Sequence, residues 1–88
     1  MGIVWRDGRM VGAVGHGVRL DFEPMPDEGV DALRMLRGGE AVGVLWFAPF
    51  SVCAEVVCAG ERRLLDDYED AEDLVEAVLA LLAEFRTA

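Results

Sequence analysis

Residues 24–39 read Pro24-Met25-Pro26-Asp27-Glu28-Gly29-Val30-Asp31-Ala32-Leu33-Arg34-Met35-Leu36-Arg37-Gly38-Gly39. This stretch decides the fold class, because a helix here divides the strands into two groups. Pro24-Met25-Pro26 ends the strand before it. Asp27 can cap a helix, and Glu28 and Asp31 in its first turn would complement the dipole. Val30, Leu33 and Leu36 repeat at helical spacing, Arg34 and Arg37 fall near the carboxyl end, and Gly38-Gly39 stop it. The spacing predicts a short amphipathic helix.

Toward the amino end, Val18-Arg19-Leu20-Asp21-Phe22-Glu23 alternates, with Val18, Leu20 and Phe22 on one side, as in a half-buried strand. Asp7-Gly8 separates Ile3-Val4-Trp5-Arg6 from Arg9-Met10-Val11. Asp-Gly between short apolar runs signals a hairpin, because both turn residues take positive φ. Gly12, Gly15 and Gly17 are expected to break the second strand and bend the chain.

Toward the carboxyl end, Val42 to Phe47 reads as a central strand bounded by Gly39 and Pro49. Ser51 to Ala59 reads as another, with Val52, Ala54, Val56 and Cys58 on one face and Cys53, Glu55 and Val57 on the other. Gly60-Glu61 is a turn, and Arg62 to Asp66 a further strand. A last helix is predicted from about Glu69 to Phe85, with Leu74, Val75, Val78, Leu81, Leu82 and Phe85 in one stripe at the 3.6-residue period. Its apolar arc is broad enough to leave a part for a second chain.

The predicted architecture is a single α+β domain over residues 1–88. It has an antiparallel sheet of five or six strands with two helices packed on one face, in the order βββα-ββ(β)-α. The two halves share element order and length but show no residue-level match. A chain of 88 residues with 53% apolar content can fold around a modest core.

The concentrated chemical feature is acidic. Seven of the eleven residues from Asp66 to Glu76 are carboxylates: Asp66, Asp67, Glu69, Asp70, Glu72, Asp73 and Glu76. The formal charge is −9. Residues 1–44 hold seven acids against five Arg, and residues 45–88 hold ten against three. Such a field repels phosphate backbones and anionic membrane surfaces, which argues against direct nucleic-acid or membrane binding. It favours basic partners and divalent cations.

Part of the cluster is ordinary helix chemistry, since acids at a helix amino end are favoured by about 0.3–1 kcal/mol each. As a recognition surface, the cluster would steer a basic protein partner toward it. A variant of that reading is mimicry of the phosphate backbone by an inhibitor protein. As a metal site the cluster is poor. The EF-hand pattern needs Gly at its sixth place, where Ala71 stands when counting from Asp66. A binding domain responsive to a small ligand or a divalent cation is the alternative function.

Other constellations are thin. The chain has no Lys, Asn or Gln, so Schiff-base chemistry and amide-lined oxyanion holes are absent. Gly12-Ala13-Val14-Gly15-His16-Gly17 lacks the dinucleotide spacing and is followed by a strand pattern, so it reads as bulges or a bend. His16, in that bend, should be accessible. Cys53 and Cys58 should point to opposite faces of their strand and remain reduced thiols, which fits a cytoplasmic setting. Trp46 and Phe47 read as core. Phe50, beside Pro49 at a strand-to-strand turn, is the aromatic expected to be exposed and a candidate partner anchor. No catalytic residue, metal ligand or cofactor is predicted. The expected function is a non-enzymatic interaction or regulatory module that presents Asp66–Glu76 and Phe50 to a basic partner. Homodimerisation is expected through the last helix or an unpaired strand edge.

Overall fold

The computed structural model describes residues 2–26 and 31–85. Among these residues seven strands run, β1 (Gly2–Arg6), β2 (Arg9–Gly15), β3 (Val18–Pro24), β4 (Asp31–Arg37), β5 (Glu40–Phe47), β6 (Val52–Cys58) and β7 (Glu61–Tyr68). One helix follows, α1 (Ala71–Glu84). The strands form one antiparallel meander in which each pairs with its sequence neighbours, β1 through β7.

This overturns the expected five or six strands with two helices. The predicted first helix is replaced over residues 31–37 by β4, and its expected cap, Asp27, with Glu28 and Val30, lies outside the described residues. The physical reason is that Leu33 and Leu36, three apart, suit a helix only if nothing flanks them. Here β3 pairs Phe22 with Met35 on one side, and β5 pairs Leu33 with Leu45 on the other. Alternation then puts Leu33, Met35 and Arg37 on the inner face and Arg34 on the outer, where it meets Glu23 at 3.7 Å. Backbone hydrogen bonding to two neighbours outweighs the small helix preference of Leu, Arg and Met.

The turns follow one local rule. Asp7-Gly8, His16-Gly17, Gly38-Gly39 and Ala59-Gly60 each place two consecutive residues at positive φ. These are the two-residue turns whose twist suits a right-handed hairpin. The predicted Asp7-Gly8 hairpin is therefore present. Gly12 and Gly15, expected to break the second strand, lie within it, and only His16-Gly17 reverses the chain.

Two hairpins share more than their turns. Val4 pairs with Gly12 and Trp5 with Met10, so Val11 is an extra, unpaired residue on β2. Met35 pairs with Gly43 and Leu36 with Ala41, so Val42 is extra on β5. The two bulges, each followed by Gly, recur 31 positions apart. Both glycines press against the next strand. A Cβ on Gly12 would lie 2.9 Å from the Leu20 carbonyl oxygen, and one on Gly43 would overlap the Glu55 carbonyl oxygen. Bulges raise local twist, so the repeated device coils the sheet at two places.

The coiling wraps the sheet round α1, which touches β2 and β3 on one side and β6 and β7 on the other. Ala13, Leu20, Met35, Leu45, Ala54 and Val56 from the sheet meet Leu74, Val75, Val78, Leu79 and Leu82 from the helix, all buried. Burying each Leu or Val contributes about 1.5–3 kcal/mol. Leu81, Ala83 and Phe85 pack at the margin of this core and are only partly covered.

Candidate interaction surface

The acidic segment is divided between two elements. Asp66 and Asp67 belong to the end of β7, Glu69 and Asp70 form the connection, and Glu72, Asp73 and Glu76 lie on α1. The helix thus begins two residues later than the expected Glu69. The register slips within β7, where Ala54 pairs with Leu65 but Val52 with Tyr68, and Asp67 takes φ +64 at this irregularity. An Asp side chain tolerates that conformation better than most. The slip keeps Tyr68 beside the core while Asp66 and Asp67 stay exposed.

Asp70 is the helix cap. Its Oδ1 accepts a hydrogen bond from the Glu72 backbone N–H at 2.8 Å. Glu72 and Asp73 occupy the first turn, where the exposed N–H groups favour negative charge. Asp66, Asp67 and Glu69 precede the cap, so helix chemistry does not account for them. Glu76 differs from all six. Its Oε1 lies 2.5 Å from His16 Nε2, and its side chain is only 43% exposed. Among the described residues, none of the other six has an Arg or His within ion-pair distance.

Phe50 is 94% exposed, as its place beside Pro49 suggests. It sits in the turn after β5, closed by the Ala48 N–H donating to the Ser51 carbonyl at 2.9 Å. Because Val52 pairs with Tyr68, this turn and the β7–α1 connection lie at the same end of the sheet. The fold therefore brings Phe50 and the carboxylates to one end, which residue spacing alone does not reveal. The sequence carries no comparable signal for the His16–Glu76 contact, which joins positions 60 apart.

A groove of about 560 Å³ opens at this end between the β1–β2 turn and the start of β4. Trp5, Met10, Met25, Leu33 and Phe47 give it an apolar lining, and Arg9 and Asp31 stand among the lining residues. Phe47 packs against the core, as read from the sequence, while Trp46 is half-buried beside Cys53 on the outer face.

At the far end of the sheet, Arg37 Nη1 donates to the Leu82 carbonyl at 3.3 Å, and Arg63 lies over the Phe85 ring. Both cysteines are free, and they take opposite faces as the alternation requires. Burial pushes the Cys58 thiol up, and Arg63 and Arg37 offset this only in part. A protonated, buried thiol is a poor nucleophile. Among the described residues, no group of three or more His, Cys, Asp or Glu side chains is arranged to hold a metal ion. No helix among them is long and apolar enough to cross a membrane.

The fold and surface define a small antiparallel meander coiled on one helix with an acidic end. No protein-family model matches the chain, and no curated protein or solved structure matches it either.

Proposed function

We propose that this protein is a non-enzymatic interaction module whose acidic end receives a basic protein partner in the cytoplasm. The supporting observation is the run of exposed carboxylates at Asp66, Asp67, Glu69, Asp70, Glu72 and Asp73, none of which has a counter-charge among the described residues. Like charges held together repel, and only the cap and first-turn acids recover that cost through the helix. The exposed Phe50 at the same end adds an apolar anchor of the kind that dominates protein interfaces. Carboxylates supply the encounter rate and the aromatic supplies the residence time.

The test is affinity enrichment from the native host with the wild-type chain and with Glu69→Lys/Glu72→Lys/Asp73→Lys as baits. That set spares Asp70, which caps the helix, and Glu76, which meets His16. Basic proteins retained by the wild type should be lost from the variant, and wild-type capture should weaken steeply with salt. Equal recovery by a variant with native circular dichroism would refute the reading.

A second reading rests on the groove. Its volume and apolar lining suit a small hydrophobic ligand. Quenching of tryptophan emission by such a ligand, abolished by Trp5→Leu, would support it. An identical titration in that variant would dismiss it.

A further inference from the structure

Among the described residues that line the groove between the β1–β2 turn and the start of β4, two are charged, Arg9 and Asp31. Arg9 opens β2 and Asp31 opens β4, with β3 between them. Two strand spacings hold their backbones about 10 Å or more apart. The two charges do not meet, and no ion pair among the described residues includes either.

The rest of the lining is largely apolar. Met10 is buried, and Met25, Leu33 and Phe47 are half-buried. Trp5 lines the groove and is still 56% exposed. An apolar body laid there would cover Trp5 and gain the area removed from water. The volume of about 560 Å³ lies within the range of small-molecule sites.

The two charges decide the head group. A carboxylate alone would match Arg9 but face Asp31, and it would enter the field of a chain with net charge −9. An amine alone would match Asp31 but bring like charge toward Arg9. A ligand carrying both charges matches both residues and is neutral in the field of the whole chain. We propose, resting on the reading of the groove as a ligand site, that it binds a zwitterion with a large apolar body. The class is a free aromatic amino acid or a short aromatic peptide, with its carboxylate at Arg9 and its ammonium at Asp31. Both charged residues are exposed, so each contact contributes little by itself and is screened by salt. The apolar body supplies the affinity, and the two charges supply orientation and selectivity.

Isothermal titration calorimetry on the full chain tests this with four probes: L-phenylalanine, L-phenylalanyl-L-phenylalanine, phenethylamine and 3-phenylpropionate. At low salt at least one zwitterion should bind about threefold to fivefold more tightly than either singly charged analogue, and added salt should shrink the margin. In Arg9→Gln the margin over phenethylamine should vanish while that over 3-phenylpropionate persists. Asp31→Asn should show the reverse. A misfolded variant would lose all four probes together, so the crossed pattern separates recognition from misfolding. Tighter binding of the dipeptide would assign the site to peptides, and tighter binding of L-phenylalanine to free amino acids. Singly charged analogues that bind as well as the zwitterions, or variants that weaken every probe equally, would overturn the head-group assignment and leave the hydrophobic-ligand reading standing. Binding by none of the four would overturn both. The acidic-end reading is tested at Glu69, Glu72 and Asp73 and does not depend on either result.

Discussion

His16 Nε2 lies 2.5 Å from Glu76 Oε1, joining the β2–β3 turn to the second turn of α1. The contact is built on an unusual backbone, since His16 takes φ +54 as the first of two left-handed turn residues. It ties the helix to β2 and β3, while the Tyr68–Asp70 connection ties it to β7. Both side chains are about four-tenths exposed, so water screens much of the attraction. His16→Asn keeps a residue suited to positive φ and removes the contact with Glu76. The expected loss is below about 1 kcal/mol in urea denaturation, shrinking as salt is added. A much larger loss would mean that the contact organises the helix rather than merely touching it.

Of the two bulge glycines, Gly43 should be the less replaceable. A Cβ there would overlap the Glu55 carbonyl oxygen and lie 2.9 Å from Met35 Cε and 3.1 Å from the Val56 Cα. Two of those three neighbours are backbone and cannot swing aside. Gly43→Ala should cost about 3 kcal/mol or more in chemical denaturation. Gly12→Ala, facing a single backbone oxygen at 2.9 Å, should cost less. Equal losses would show that the two bulges carry the same strain.

The two ends of α1 are satisfied differently. Asp70 caps the amino end from within the segment, whereas the last turn has no basic residue and takes Arg37 from β4. Asp70→Ala should cost about 1 kcal/mol, and Asp70→Ser should restore most of it. Arg37→Ala should cost about 1 kcal/mol and speed amide exchange in the last turn while sparing the first. Uniform exchange along the helix would contradict that division.

Ala59 occupies φ +51 at the first position of the β6–β7 turn, a conformation that L-residues with a Cβ resist. Ala59→Asn creates the Asn-Gly pair such turns prefer. A gain of about 1 kcal/mol in denaturation midpoint analysis is expected, and a loss would mean that the Ala59 methyl has a packing role.

Cys58 sets a pH limit. Burial raises its thiol above the ordinary value of 9.0. Below that value both folded and unfolded thiols are protonated, and the contribution to stability is full. As pH rises past it, the unfolded thiol ionises first, so stability falls until the folded thiol also ionises. Urea midpoints of the wild type should therefore decline more steeply above pH 9.0 than those of Cys58→Ala. Parallel declines would assign the slope to other groups.

The last helix was legible because Leu74, Val75, Val78 and Leu82 repeat over several turns, and a long period cannot be mistaken for alternation. Val52–Cys58 was legible for the opposite reason, since five or more alternating residues exclude a helix. The Asp7-Gly8 turn announced itself through residues that accept positive φ. Residues 31–37 carried neither signal unambiguously. Leu33 and Leu36 fit a helix, Leu33 and Met35 fit a strand, and seven residues are too few for either pattern to prevail. The surface followed the same division: the density of carboxylates and the exposure of Phe50 were readable, whereas their meeting at one end of the sheet was not.

By itself the amino-acid order determined whatever depends on near neighbours: turn chemistry, the helical stripe of α1, the opposed faces of Cys53 and Cys58, and the negative charge before and within the first helical turn. Tertiary structure decided β4, the two bulges that coil the sheet, the capture of the Leu82 carbonyl by Arg37 and the approach of His16 to Glu76. Each of those depends on a group brought from a distant part of the chain. A strand's hydrogen bonds close only on another strand, whereas a helix closes its own, so a short ambiguous segment takes its form from what lies beside it.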